Sequence, residues 1–396
     1  MGMAPYGTPR YVDKVWRMVK AHADGSFELD LDYFSFQRST TRSFTPRFVK
    51  LFGAPRSPES PFFTERSGYP PYFGPRPGNF NALQSENQHY ADIAASIQVV
   101  TEELILGLAR AAHAKTGCTT LCMAGGVALN SVANGRILRE TPITDLYVQP
   151  SAGDGGAAVG AALYAATALF NEPRCGRMDH AFWGESHDEA TIDAAVRDSQ
   201  LTAETAPDDE QLIARVVELL GAGRVIGWVQ GRFEFGPRAL GNRSILADPR
   251  SAEMKDVVNT KIKFREPYRP FAPSVPVECA SRFFDLETPE RHPAARFMLL
   301  VTPVKDRARD VIPAVTHVDG SARLQTVFSD TNPRYHRLLT AFGDATGVPV
   351  LLNTSFNLRG EPIVNTPAEA IKTFQRSGMD ALVMDRTIVL KEKRSA

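Results

Sequence analysis

Cysteine is scarce in this chain: four residues, at positions 118, 122, 175 and 279, are too few and too scattered for a disulfide framework in 396 residues. Cys118 and Cys122 flank the start of an expected strand with no second Cys or His pair nearby, so they read as core thiols rather than zinc ligands. No apolar run approaches the roughly 20 residues needed to cross a bilayer. The opening Met-Gly-Met-Ala-Pro-Tyr has neither the basic n-region nor the apolar h-region of a secretion signal. Tyr6 stands where a myristoylation signal asks for Ser or Thr. The expected compartment is the cytoplasm, with no membrane partner. Excess charge is missing too: 45 Lys and Arg balance 45 Asp and Glu, which argues against a stable nucleic-acid partner. Internal repeats and low-complexity tracts are absent, and the length leaves room for two domains with their own cores.

Against that neutral background one segment stands out. Phe233 to Pro273 reads FEFGPRALGNRSILADPRSAEMKDVVNTKIKFREPYRPFAP, and nine Arg and Lys lie between Arg232 and Arg269 against five acids. A local excess of about four positive charges in a neutral chain suits one phosphorylated ligand better than a nucleic-acid stripe. Gly236, Pro237 and Gly241 constrain the backbone around Arg238 and Arg243, and Pro267 and Pro270 bracket Arg269; a merely solvated basic face needs no such constraint.

The remaining pattern is α/β followed by α+β. Residues 8 to 88 are rich in Pro, Gly, Arg and aromatics and read as long connections with a few short elements. Ile93, Ile97, Val100, Leu104, Leu108 and Ala111 fall at helical spacing from Asp92 to Gly117. Strands are expected at Thr120 to Met123 and Asp145 to Gln149, with a helical run through Asn134 between them and a small-residue helix over Gly155 to Phe170, able to pack closely on a sheet. Residues 172 to 208 lose periodicity and serve as the expected linker. Domain limits of 1–175, 176–205 and 206–396 follow. Beyond the linker a helix is expected over Glu210 to Leu220 and a buried strand over Val225 to Val229. Further short strands are expected at Phe297 to Val301, Val348 to Leu352, Ala381 to Met384 and Thr387 to Leu390, and helices near Tyr335 to Phe342 and Pro367 to Ser377.

Two glycine-rich turns carry candidate chemistry. In AGGVALN, Ala124 to Asn130, two glycines between a strand and a helix let backbone N–H groups approach a phosphate, or simply make a tight turn. In SAGDGGAAVGAA, Asp154 sits where a carboxylate can meet a hard or borderline cation, or cap the following helix. His317, next to the turn Asp319-Gly320-Ser321, reads either as an acid/base group or as a satisfied structural histidine.

GPRALGNRS followed by NTKIKFREPYRPFAP resembles the carboxyl-terminal domain of the nodulation U type O-carbamoyltransferases. The motifs GMAPYG (Gly2 to Gly7), AGGVALNSVANGRI (Ala124 to Ile137), QPSAGDGGAAVGAAL (Gln149 to Leu163) and LNTSFNLRGEPIV (Leu352 to Val364) follow in that family's order. The resemblance implies an actin-like, Kae1-like domain fused to a YrdC-like domain. It also implies ATP-dependent transfer of a carbamoyl group from carbamoyl phosphate, through a carbamoyl adenylate, to a hydroxyl of a small-molecule or sugar acceptor. By the same resemblance Arg238, Lys263, Arg269, Arg323 and Ser355 surround carbamoyl phosphate and the adenylate, with Arg243 and Asn357 beside them, and Gly125, Gly126 and Asn130 contact nucleotide phosphates. Arg forks suit the anionic oxygens and Lys a developing charge.

In the family Asp154 would join two His of an H-x-x-x-H helix around Fe(II) or a similar divalent cation. None of the eight His here lie four apart, so the amino-terminal part of the Kae1-like domain is expected to be missing, leaving half of an actin-like fold. Two readings stay open beside carbamoyl transfer: formation of threonylcarbamoyl adenylate for tRNA modification, and an incomplete fragment acting with an amino-terminal partner chain or as a homo-oligomer.

Overall fold

The computed structural model describes residues 1–57, 60–174, 176–266 and 268–391, so Cys175 and Pro267 lie outside the described residues. Three sheets form. β1 (Val19–Ala21) and β2 (Phe27–Leu29) make an antiparallel hairpin. β3 (Thr120–Met123) and β4 (Asp145–Val148) make a two-stranded sheet. The third is a nine-stranded mixed sheet of β5 (Ala203–Thr205), β6 (Ile226–Val229), β7 (Arg243–Ala247), β8 (Ala272–Pro276), β9 (Leu300–Pro303), β10 (Ser321–Val327), β11 (Leu351–Ser355), β12 (Ala381–Met384) and β13 (Thr387–Leu390). Its order is β5-β13-β12-β6-β7-β11-β8-β10-β9.

Contacts group the chain into two units. One comprises residues 1–121, 132–145 and 266–269; the other comprises 122–131, 146–265 and 270–396. In the first, a 37-residue helix, Phe80–Thr116, is capped by Gly117 in the left-handed conformation. It starts twelve residues before the expected Asp92, and its first residue, Phe80, stacks on Phe63 with ring centroids 5.1 Å apart. The burial is also rotated from that stripe: Ile97 and Leu108 are exposed, while Ala91, Ala95, Ile105 and Ala109 are buried. Val15, Met18, Tyr33, Phe52 and Val100 form the core of the irregular amino-terminal stretch. Arg136 ties this unit by ion pairs to Glu102 at 2.8 Å, Glu103 at 2.9 Å and Glu140 at 2.7 Å.

In the second unit the helices Asp209–Gly221 and Pro333–Thr346 bury Leu212, Val216, Leu338, Leu339 and Phe342 against Trp228, Leu246, Leu351 and Val383 of the sheet. Burying side chains of this size contributes about 1.5–3 kcal/mol each. The expected linker contains a helix, Glu189–Ser199, whose start is set by Asp188 accepting the Thr191 N–H, and the edge strand β5. Its apolar spacing is thin, since Ile192 is the buried residue of that helix.

Two further expectations fail. The helix Ala157–Tyr164, continued by a wide-turn segment Ala165–Leu169, is exposed rather than packed on a sheet. Cys118 and Cys122 are exposed rather than core thiols.

Candidate anion-binding site

Strand direction brings the sequence-distant motifs to one end of the large sheet. β7 runs antiparallel to β11, β11 antiparallel to β8, and β8 parallel to β10. The amino-terminal ends of β7, β8 and β10 therefore share an end with the carboxyl-terminal end of β11. The PRALGNR loop precedes β7, the KIKFRE segment precedes β8, Arg323 lies near the start of β10, and Ser355 closes β11.

Glu234 shapes the loop before β7. Its buried Oε1 accepts backbone N–H groups of Leu240 at 2.7 Å, Asn242 at 2.8 Å and Arg243 at 3.2 Å. Desolvation raises the Glu234 carboxyl above the usual range, opposed by those same N–H groups. Gly236 and Gly241 hold positive φ of 131° and 106°, and a Cβ on Gly241 would meet the Tyr335 ring at 2.3 Å. The loop presents Arg238, whose Nε is buried without a hydrogen-bond partner and whose guanidinium pKa is lowered by burial.

Arg243, read from sequence as a ligand contact, is a structural brace. It is 1% exposed. Its guanidinium donates to the carbonyls of Asn365 at 3.1 Å, Gln230 at 2.9 Å, Gly231 at 3.1 Å, Asn242 at 3.2 Å and Glu185 at 3.3 Å. A fork committed to five carbonyls has little left for a ligand.

Lys263 ends a wide-turn helical segment, Val258–Lys263, closed by Phe264 at φ 46°. Such segments put side chains where a regular helix cannot. Its Nζ donates to Ser355 O, to Ser355 Oγ at 3.2 Å, to Asn357 O at 3.1 Å and to Asn357 Oδ1 at 2.7 Å. Ser355 Oγ in turn donates to Asn357 Oδ1 at 2.7 Å, and Asn357 Nδ2 donates to Glu361 O at 2.7 Å. These oxygens are neutral, so burial, with the nearby Arg265 charge, drives the Lys263 ammonium well below its ordinary pKa.

Arg323 completes a group of cations. Its Nε is buried and unpartnered, and burial followed by the charges of Arg238 and Arg265 lowers its pKa well below the ordinary value. Arg265, which the sequence reading passed over, donates to Asn259 Oδ1 at 2.8 Å and lies 4.5 Å from the Phe271 ring centroid. The i, i+2 spacing with Lys263 was its available signal. Below the cations Gln325, Ser274 and Asn353 form a buried hydrogen-bonded set: Ser274 Oγ to Gln325 Oε1 at 2.5 Å, and Asn353 Nδ2 to Gln325 Oε1 at 2.8 Å. Asn353 thus belongs to the frame of the site.

Arg269 is placed differently. It groups with the first unit and pairs with Glu266 at 2.8 Å, its side chain 52% exposed. The two glycine turns neighbour one another within the second unit: the Gly125 N–H donates to Ala152 O at 2.8 Å, and a Cβ on Gly153 would lie 3.9 Å from Gly126 Cα. The Gly125 amide is therefore occupied within the protein. Asn130 is buried and Asp154 exposed. Among the described residues no group of three or more His, Cys, Asp and Glu side chains could hold a metal ion. One exposed carboxylate does not fit an iron-type site, which recruits several imidazole and carboxylate donors.

The second unit is thus an α/β body carrying buried, mutually repelling cations at one sheet end. Residues 1–163 match the family described as Carbamoyltransferase N-terminus and residues 217–391 match Carbamoyltransferase C-terminus. The chain belongs to the carbamoyltransferase family. It is 41% identical over 418 residues to an uncharacterised protein of Synechocystis sp., covering 99% of this chain and 63% of that protein. It is 43% identical over 311 residues to the nodulation protein NolO of Bradyrhizobium diazoefficiens, covering 78% and 56%. With the 3'-hydroxymethylcephem-O-carbamoyltransferase of Streptomyces clavuligerus it shares 37% identity over 254 residues, covering 64% and 45%. The chain thus spans 45–63% of the length of these relatives. The solved structure of full-length HypF in its phosphate- and nucleotide-bound form aligns with a TM-score of 0.31 at 16% identity, covering 48% of this chain and 23% of that one. At that score the likeness does not define a common fold. Residues 1–163 match the amino-terminal family model, and the expectation that the amino-terminal part of the Kae1-like domain is missing finds no support in these comparisons.

Proposed function

We propose that this protein carries out ATP-dependent O-carbamoyl transfer, in a Kae1-like and YrdC-like arrangement, with the sheet-end cations as the site of carbamoyl activation. The observation that carries the reading is the grouping of the buried cations Arg238 and Arg323 with Lys263, whose ammonium is held by neutral oxygens. Cations left uncompensated in a desolvated site cost folding energy, and a bound anion repays that cost.

In this reading carbamoyl phosphate is hydrolysed to carbamate and phosphate. A carbamate oxygen attacks the α-phosphorus of ATP and pyrophosphate leaves. The acceptor hydroxyl oxygen then attacks the carbamoyl carbon, its proton is lost, and AMP leaves with the electron pair of the broken C–O bond. Arg238 and Arg323 hold phosphate oxygens, Lys263 follows the charge at the reacting centre, and Ser355 and Asn357 position Lys263. Arg269, Gly126 and Asn130 are further contacts that the motif resemblance assigns. A small-molecule hydroxyl as acceptor is supported by the similarity to a 3'-hydroxymethylcephem-O-carbamoyltransferase, and a sugar hydroxyl is the other acceptor that the motif resemblance implies. No step is routed through a metal.

The test is pyrophosphate release from ATP by the purified chain, with and without carbamoyl phosphate. Release that depends on carbamoyl phosphate is expected. Release independent of carbamoyl phosphate, or none with either ligand bound, overturns the reading.

A further inference from the structure

The groups collected at the sheet end are hydrogen-bond donors, which suits phosphate oxygens but leaves the amide end of a carbamoyl group unread. The oxygens of Ser355 and Asn357 are taken up by Lys263. His317 supplies what is missing. It closes a turn in which its backbone N–H donates to Ser321 O at 2.7 Å, and Ser321 opens β10. Ser321, Arg323 and Gln325 alternate onto one face of that strand. Ser321 Oγ lies 3.1 Å from His317 Nδ1, so the imidazole sits on the face that carries Arg323.

The proton positions follow from the chain of contacts. The Ser321 hydroxyl donates to Asp319 Oδ1 at 2.7 Å, a charge-assisted bond that takes its one proton. Its oxygen must then accept the Nδ1 proton of His317, which leaves Nε2 with a lone pair. Nε2 is buried and has no hydrogen-bond partner. Burial first, and then the charges of Arg323 and Lys255, hold this imidazole neutral at ordinary pH against the opposing Asp319 charge and a backbone hydrogen bond with Phe271, with a pKa of about 4.

We propose that His317 Nε2 accepts an N–H of the carbamoyl group whose phosphate lies on Arg238 and Arg323, making His317 the residue that distinguishes a carbamoyl from an acetyl or bare phosphate. This rests on the proposed function above. An amide N–H meeting an unsatisfied buried acceptor is selected, whereas a methyl at that place leaves the acceptor unpaired.

Calorimetric titration of the full chain with fresh carbamoyl phosphate, acetyl phosphate and inorganic phosphate tests it. The wild type is expected to bind carbamoyl phosphate about 10- to 100-fold more tightly than acetyl phosphate. In His317→Leu that preference should shrink to within about threefold, with acetyl phosphate and inorganic phosphate affinities nearly unchanged. His317→Gln, which keeps an acceptor oxygen, should retain part of the preference and covers the case in which the Leu variant does not fold. Equal wild-type binding of carbamoyl and acetyl phosphate overturns the assignment to His317 alone, as does a full preference in the Leu variant. Failure of the wild type to bind any of the three overturns the anion-site reading and this inference with it.

Discussion

Lys263 Nζ lies 2.7 Å from Asn357 Oδ1 and 3.2 Å from Ser355 Oγ, although more than 90 residues separate the lysine from either partner. The ammonium is therefore held by neutral oxygens alone. Lys263→Met should lower carbamoyl-phosphate-dependent pyrophosphate release by at least about 100-fold. Because two polar side chains lose their buried donor, it should also cost about 1–3 kcal/mol in urea unfolding. Release within a few-fold of wild type would remove Lys263 from the reaction.

Arg323 should trade stability for binding. A buried guanidinium beside Arg238 and Arg265 repels its neighbours, so Arg323→Met is expected to stabilise the ligand-free protein by about 1 kcal/mol or more. The same variant should lose the thermal stabilisation that inorganic phosphate confers on the wild type. A thermal scan with and without phosphate reads both effects, and an Arg323→Met variant that phosphate still stabilises contradicts the anion site.

Arg243 should behave in the opposite way. Its guanidinium joins carbonyls from separate segments, so Arg243→Met is expected to cost at least about 3 kcal/mol, and Arg243→Lys should not restore it because one ammonium cannot span those positions. Denaturant midpoints of the two variants decide the matter; a near-wild-type Lys variant would return Arg243 to the list of ligand contacts.

His317 gives a pH dependence of stability. The folded imidazole takes a proton only near pH 4, the unfolded one near pH 6.5. Between these values the unfolded chain binds more protons, so stability is complete above about pH 6.5 and falls as pH drops toward 4, by on the order of 3 kcal/mol. Urea unfolding of wild type and His317→Leu across that range should show the slope reduced in the variant. Parallel curves would mean that the imidazole is protonated as easily in the folded protein as in the unfolded chain.

Glu234→Ala should disorder the turn that presents Arg238, because three backbone N–H groups lose their acceptor, whereas Glu234→Gln keeps an oxygen in place. The Ala variant is expected to lose about 2–4 kcal/mol and to weaken phosphate binding, the Gln variant to lose little of either. Equal phosphate affinities in both would detach the turn from the site.

Local pattern determined much of this protein. The strands Ala381–Met384 and Thr387–Leu390 and the helix Pro367–Arg376 stand where periodicity and capping residues put them, and the basic Phe233 to Pro273 segment with the NTSFN turn contains most of the anion-site groups. Short-range propensity, charge spacing and glycine placement act within a few residues, so a linear reading captures them. Tertiary structure decided the rest. Whether an arginine braces the interior, as Arg243 does, or stands unpaired, as Arg323 does at Nε, depends on carbonyls that other segments deliver. The small helix inside the expected linker escaped for a related reason: Ile192 is its one buried residue, and it packs against the distant helix Pro367–Arg376. The meeting of Lys263 with Ser355 and Asn357 follows from strand direction in a mixed sheet, a property of long-range pairing that local sequence does not encode.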